Sequence, residues 1–213
     1  MLKVGLTGGI ASGKSVVGKM FVALGAYLVE ADHIAHSLMQ PGETVYNEVV
    51  RRFGREILNP DGSVNRAKLA EAAFGAGAAG ERPSRIEELN RIVHPAVIRS
   101  QDEWMQAIGL QDPHAVAIVE AALILEAGAG NRFDRLMVVT CDPEQRASRF
   151  AARQKIDLET ARNEVVRRMA AQLPDQEKVK AADYVIDNSG SLEDTREQVQ
   201  KIWQLLQAEM EES

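Results

Sequence analysis

The chain has 213 residues, 45% hydrophobic and 26% charged, the profile of one globular domain or of a core with a small inserted subdomain. Its 25 Lys and Arg face 31 Asp and Glu, a net charge of −6, which argues against bulk nucleic-acid binding and asks any anionic ligand to be met by a focused pocket. The single cysteine, Cys141, excludes a disulfide framework and a multi-cysteine metal site, and no apolar run approaches the roughly 18 residues of a membrane span.

In chain order, the first predicted element is a short apolar strand over Leu2–Thr7. It runs straight into Gly8-Gly9-Ile10-Ala11-Ser12-Gly13-Lys14-Ser15, a G-x-x-x-x-G-K-S pattern, and Val16–Leu24 follows as a helix. Strand, glycine loop and helix in that order are the context a phosphate-binding loop requires. Glycine lets the backbone turn inward so that its N–H groups surround an anion, and the helix aims its positive end at the same point. Lys14 adds a mobile charge for the outer phosphates, and the Ser15 hydroxyl suits a Mg²⁺ ligand. The opening apolar stretch is too short for a signal peptide, so a reducing, intracellular compartment is expected.

Four more strands are predicted at Ala26–Val29, Ala115–Glu120, Leu136–Cys141 and Tyr184–Ile186. These short runs rich in Val, Ile and Leu suit parallel strands buried on both faces, and the helices between them argue for a doubly wound α/β sheet. Between the second and third strands the pattern is helical near Thr44–Phe53, Arg66–Phe74, Ser84–Val93 and Pro95–Ile108. This segment is too long for a simple crossover and reads as a substrate-binding insertion. Gly75–Gly80 reads as a connector within it. His94-Pro95 is taken as the junction of two helices, with His94 structural. Capping signals appear at Asp32 for a helix over His33–Met39, at Ser84, at Asp142 with Pro143 behind it, at Asp157 for a helix to about Ala171, and at Ser191. The acidic end, Glu209–Ser213, is expected to fray.

The loop identifies a nucleotide fold but not a reaction. No N-K-x-D base-reading motif of a GTPase is present. Asp32 follows the second strand closely, where a carboxylate can accept a proton from an attacking hydroxyl or orient it, and where it can equally cap a helix. Glu30, two residues earlier, shares its face if the strand extends that far, and reads as supporting. Arg146, Arg149 and Arg153 fall near one face of the helix opened by Asp142. Clustered guanidiniums suit phosphate oxygens, and also suit a solvated face paired with acids. With the charged helix over Asp157–Ala171, which includes Arg162, Arg167 and Arg168, this segment matches a closing lid. Cys141 reads as a small buried side chain at a strand end.

With these residues in order, the chain resembles the dephospho-coenzyme A kinase family nearly end to end. Leu6–Ser15 is close to that family's opening, and Glu30-Ala31-Asp32-His33-Ile34-Ala35 is similar to its D-A-D-x-I-A. Val93-His94-Pro95 matches its H-P element, Leu123-Ile124-Leu125-Glu126 its P-L-L-x-E, and Ala182–Gly190 its A-D-x-V-I-D-N-x-G. The resemblance implies a P-loop, nucleoside-monophosphate-kinase-like parallel five-stranded sheet with a helical substrate insertion and a lid. The core is then 1–31, 113–142 and 176–213, the CoA-binding insertion 32–112 and the lid 143–175.

The implied activity is phosphoryl transfer from MgATP to the 3′-hydroxyl of the dephospho-CoA ribose, by a cytoplasmic monomer or weak homo-oligomer acting on a small molecule, away from membranes and nucleic acid. Lys14, Asp32 and Arg149 become the catalytic set, and Ala11, Ser12, Gly13, Lys14, Ser15, Val16, Arg149, Arg153 and Asn188 the ATP site. Asp32 and His94 lie on the substrate side, and Ser15 takes Mg²⁺. Glu30, Val16, Ala122 and His36 depart from the family pattern. Glu120 and Glu126 stay open between outer-shell Mg²⁺ carboxylates and structural ones. The rival activities are a P-loop kinase of another small acceptor, such as a nucleoside monophosphate or shikimate, and a nucleotide-gated binding protein.

Overall fold

The computed structural model describes residues 1–75 and 84–211, so the connector expected at Gly75–Gly80 lies, beyond Gly75, outside the described residues. The described chain forms two compact units, Met1–Glu30 with Met105–Ser213 and Ala31–Trp104.

The first unit is built on five parallel strands: β1 (Leu2–Gly8), β2 (Tyr27–Glu30), β3 (Val116–Glu120), β4 (Arg135–Thr140) and β5 (Tyr184–Asp187), in the order β2-β3-β1-β4-β5. β1 is flanked by β3 and β4, so the chain's crossovers diverge on either side of it. In an open parallel sheet the crevice beyond the strand C-termini at such a point is the ligand site. The register is fixed by burial: all five residues of β3 are buried, and Val4, Leu6, Met137, Val139 and Ile186 join Val17, Phe21, Val199, Ile202 and Leu206 in one core. A one-residue slip would turn that set to the other face.

The helices α1 (Lys14–Ala23) and α9 (Leu192–Glu211) supply the far side of that core. Ser191 and Asp194 make a reciprocal capping box at the start of α9, each side chain accepting the other's backbone N–H. The fraying expected of the acidic end is not seen over Glu209–Glu211, and the last two residues lie outside the described residues. The helix runs to Glu211, because Glu209 accepts hydrogen bonds from Tyr184 and Arg135.

After β4 come α6 (Pro143–Gln154), α7 (Leu158–Ala170) and α8 (Asp175–Lys180). Asp142 caps α6 through Glu144 and Gln145, and Asp157 caps α7 through Thr160, as their sequence pattern predicts. α8 has no strong apolar period and escaped notice in the sequence.

The second unit holds α2 (Ala31–Leu38), α3 (Thr44–Phe53), a 3-10 turn over Arg55–Ile57, α4 (Arg66–Phe74) and most of α5 (Ile86–Gln111). Three expectations are corrected here. α5 is one helix, not two meeting at His94-Pro95. Pro95 sits inside it and removes one i→i−4 bond, and buried Val93 and Val97 on either side hold the helix together. α2 begins at Ala31, so Asp32 lies within its first turn and does not cap it. The strand before it ends at Glu30, so no shared strand face joins Glu30 to Asp32.

Candidate active site

The loop between β1 and α1 is held open by backbone conformations that side chains disfavour. Gly13 caps α1 at φ 96°, and a Cβ there would collide with the Asn188 amide. Ala11, at φ 54°, is left-handed without being glycine, a strain of the kind stored at functional turns. Val16 and Val17 donate to the Gly13 carbonyl (3.0 and 3.1 Å), which leaves the N–H groups ahead of them at the positive end of α1. Lys14 folds back over the loop, its ammonium donating to Gly8 O (2.9 Å) and Gly9 O (3.2 Å).

Ser15 donates from Oγ to Glu120 Oε1 at 2.8 Å. Glu120 is the last residue of β3 and is buried, so a hydroxyl and a carboxylate lie side by side beyond the strand ends. These are the hard oxygen donors Mg²⁺ accepts alongside phosphate oxygens, and the residues fit that ion. Among the described residues no group of three His, Cys, Asp or Glu could hold a metal unaided. Glu126 is structural: it accepts the Leu173 N–H (3.0 Å) and pairs with the fully buried Lys178 ammonium (2.8 Å).

The three arginines of α6 do not form one cluster. Arg149 is half-buried and bonds to Asn188 O (3.0 Å) and Cys141 Sγ (3.1 Å). Arg153 is exposed and lies over the Phe150 ring. Arg146 is fully buried, donates to Cys141 O (2.8 Å) and pairs with Asp175. The paired acids of the charged face lie elsewhere: Arg162 binds Glu144, and Arg167 and Arg168 share Glu164, whose carboxyl they hold down to about 2.

Asn188 follows β5 and its amide is committed to the loop. Nδ2 donates to Ser12 O (2.8 Å) and Oδ1 accepts from Thr195 (2.9 Å), so it braces the turn. Ser12 is buried beneath it, and Val16 is exposed on α1. Cys141, just past β4, is buried, and that burial pushes its thiol above the ordinary range against the pull of Arg149 and Arg146.

In the helical unit Asp32 is exposed and its side chain makes no hydrogen bond or ion pair among the described residues, and His94 is half-buried on α5. This unit also carries a cavity of about 480 Å³ whose wall mixes apolar Leu38, Val45, Ile92 and Pro95 with charges of both signs, Arg91 and Arg99 together with Glu43, Glu48 and Glu103.

A parallel β2-β3-β1-β4-β5 sheet with a lysine-bearing glycine loop after its central strand defines the class: a P-loop kinase fold. The dephospho-CoA kinase family model matches residues 2–194. A dephospho-CoA kinase of Syntrophotalea carbinolica is 42% identical over 199 residues, 93% of this chain and 89% of that one. Among solved structures, TT1252 from Thermus thermophilus superposes with a TM-score of 0.77 at 31% identity, covering 96% of this chain and 97% of its own. A dephospho-CoA kinase from Campylobacter jejuni gives 0.67 at 25%, covering 97% of each. The chain belongs to the dephospho-CoA kinase family, and among the described residues no helix is long and apolar enough to cross a membrane.

Proposed function

We propose that the chain transfers the terminal phosphoryl group of ATP to the 3′-hydroxyl of the dephospho-CoA ribose, completing coenzyme A. The observation that carries this reading is the loop itself, with Lys14 on the Gly8 and Gly9 carbonyls at the start of α1, in a chain of this family. The N–H groups at the head of α1 and the Lys14 ammonium bind the polyphosphate and hold its charge as it shifts in transfer. Asp32, uncommitted to any partner, takes the proton of the attacking hydroxyl or orients it. Arg149 and Arg153, on the lid formed by residues 143–175, add charge on the nucleotide side. His94 belongs to the acceptor side. The cavity walled by Pro95, by Arg91 and Arg99 and by Glu43, Glu48 and Glu103 offers apolar surface and charges of both signs to part of the acceptor.

Ser15, with Glu120 behind it, would hold Mg²⁺, which when bound neutralises phosphate charge. We further propose that the chain works in the cytoplasm, as a monomer or weak homo-oligomer, on a small molecule.

The test is an acceptor panel with ATP, read by mass spectrometry: dephospho-CoA, nucleoside monophosphates and shikimate. Dephospho-CoA alone should gain a phosphoryl group. Preferred phosphorylation of a different acceptor would overturn the proposal.

A further inference from the structure

Arg146 is one of two fully buried cations among the described residues of the sheet unit, with Lys178, and the mechanism above leaves it unused. Its side chain has no solvent exposure, and it sits at the start of α6 against Gly9, the second glycine of the loop. A Cβ at Gly9 would overlap the Arg146 Nη1 atom, so glycine there makes room for the guanidinium. Two of its nitrogens are engaged: Nε donates to Cys141 O (2.8 Å) and Nη2 to Asp175. Nη1, which faces the loop, is buried and has no hydrogen-bond partner among the described residues.

Burying a guanidinium is costly unless every donor finds an acceptor, and a donor left over beside an anion-binding loop needs a reason. The surroundings show how it is aimed. Asp175 and Lys178 lie one turn apart on α8, and each holds an opposite charge: Asp175 takes Arg146, and Lys178 takes Glu126 of the segment after β3. α8 is thereby pinned at two points, and its first residue points the guanidinium at Gly9. The next two loop residues, Ile10 and Ala11, pack against Phe150, Ala161 and Val165 of α6 and α7. Three successive residues of the loop thus rest on the two helices of the lid segment.

We infer that Arg146 is a positioning residue for the phosphate loop, aimed by Asp175: its buried guanidinium fixes the backbone at Gly9 and lends its charge to the anion the loop binds. The inference concerns nucleotide binding and rests on the kinase reading only for its turnover arm.

The test is ATP titration by calorimetry in the presence of Mg²⁺ and without acceptor, on the wild type, Arg146→Gln, Arg146→Lys and Asp175→Asn, each with its thermal midpoint. Gln removes the charge and stops short of Gly9 while staying polar, and its Kd for ATP should rise about tenfold, the scale of one charge-assisted contact. Lys restores the charge and should recover most of that loss, although it cannot reach both Cys141 O and Asp175. Asp175→Asn leaves Arg146 in place but unaimed, and should weaken ATP binding about threefold, a fraction of one such contact. In turnover the loss should appear in KM for ATP, with KM for dephospho-CoA unmoved. A folded Arg146→Gln whose Kd for ATP stays within twofold of wild type overturns the inference, even if its midpoint falls, because that is the signature of packing alone. Should Arg146→Gln fail to fold, Asp175→Asn decides: wild-type affinity there overturns it. A wild type that binds ATP yet makes no coenzyme A would instead sink the proposed function and leave the ATP-binding test of Arg146 standing.

Discussion

Lys14 holds its ammonium on two main-chain carbonyls, so much of its side-chain freedom is surrendered within the fold itself. Asp32 is the opposite case, exposed and uncommitted, with no structural bond to lose. Replacing it with Asn should therefore leave the thermal midpoint unchanged and cut single-turnover phosphoryl transfer about a hundredfold, the low end for removing a general base. Thermal unfolding checks the first and a rapid-quench comparison with wild type the second. Cys141 makes a second prediction at this scale. Burial favours its thiol form more than Arg149 and Arg146 favour the thiolate, so the native protein should resist iodoacetamide at pH 8 and react only on unfolding.

Most of the binding loop was legible at this scale, because G-x-x-x-x-G-K-S encodes backbone geometry through residue type. The arginines of α6 were not. A spacing of three or four places Arg146, Arg149 and Arg153 near one face, but burial then sends one beneath the loop, one to Asn188 and one to Phe150.

Among the elements, α5 carries an internal proline at a cost of up to about 3 kcal/mol in a helix interior. Pro95→Ala should restore the lost bond and raise stability by about 1–2 kcal/mol after the gain in unfolded-chain entropy is subtracted, seen as a higher midpoint in thermal or urea unfolding. The local rule against proline in a helix interior places a break at Pro95. Packing of Val93 and Val97 overrides it, and no local signal reports that packing. α8 was invisible for a related reason: six residues held by charges from distant segments leave no periodic trace.

On α7, Glu164 has its folded pKa lowered from 4.5 to about 2 by Arg167 and Arg168. A lowered acid pKa adds stability that is complete above about 4.5 and fades as pH falls toward 2. Glu164→Gln should thus lower the midpoint at pH 7 slightly, by the equivalent of under about 1 kcal/mol for a solvated pair, and the difference from wild type should shrink by pH 3. A difference that stays constant with pH would contradict the assignment.

At the scale of the whole molecule, the five strands announced themselves through their apolar runs, and the burial of β1, β3 and β4 explains why. The strand order was not written in any one of them. It follows from crossovers on both sides of β1, and it places the glycine loop at the sheet's divide. On the proposed function, this loop delivers a phosphoryl group to an acceptor and does not merely bind nucleotide. The most direct measurement is the yield of coenzyme A against ADP when enzyme in excess meets limiting MgATP with saturating dephospho-CoA. The account predicts equal yields, both abolished in Lys14→Ala. ADP released without phosphorylated acceptor, or coenzyme A formed undiminished by Lys14→Ala, would contradict it.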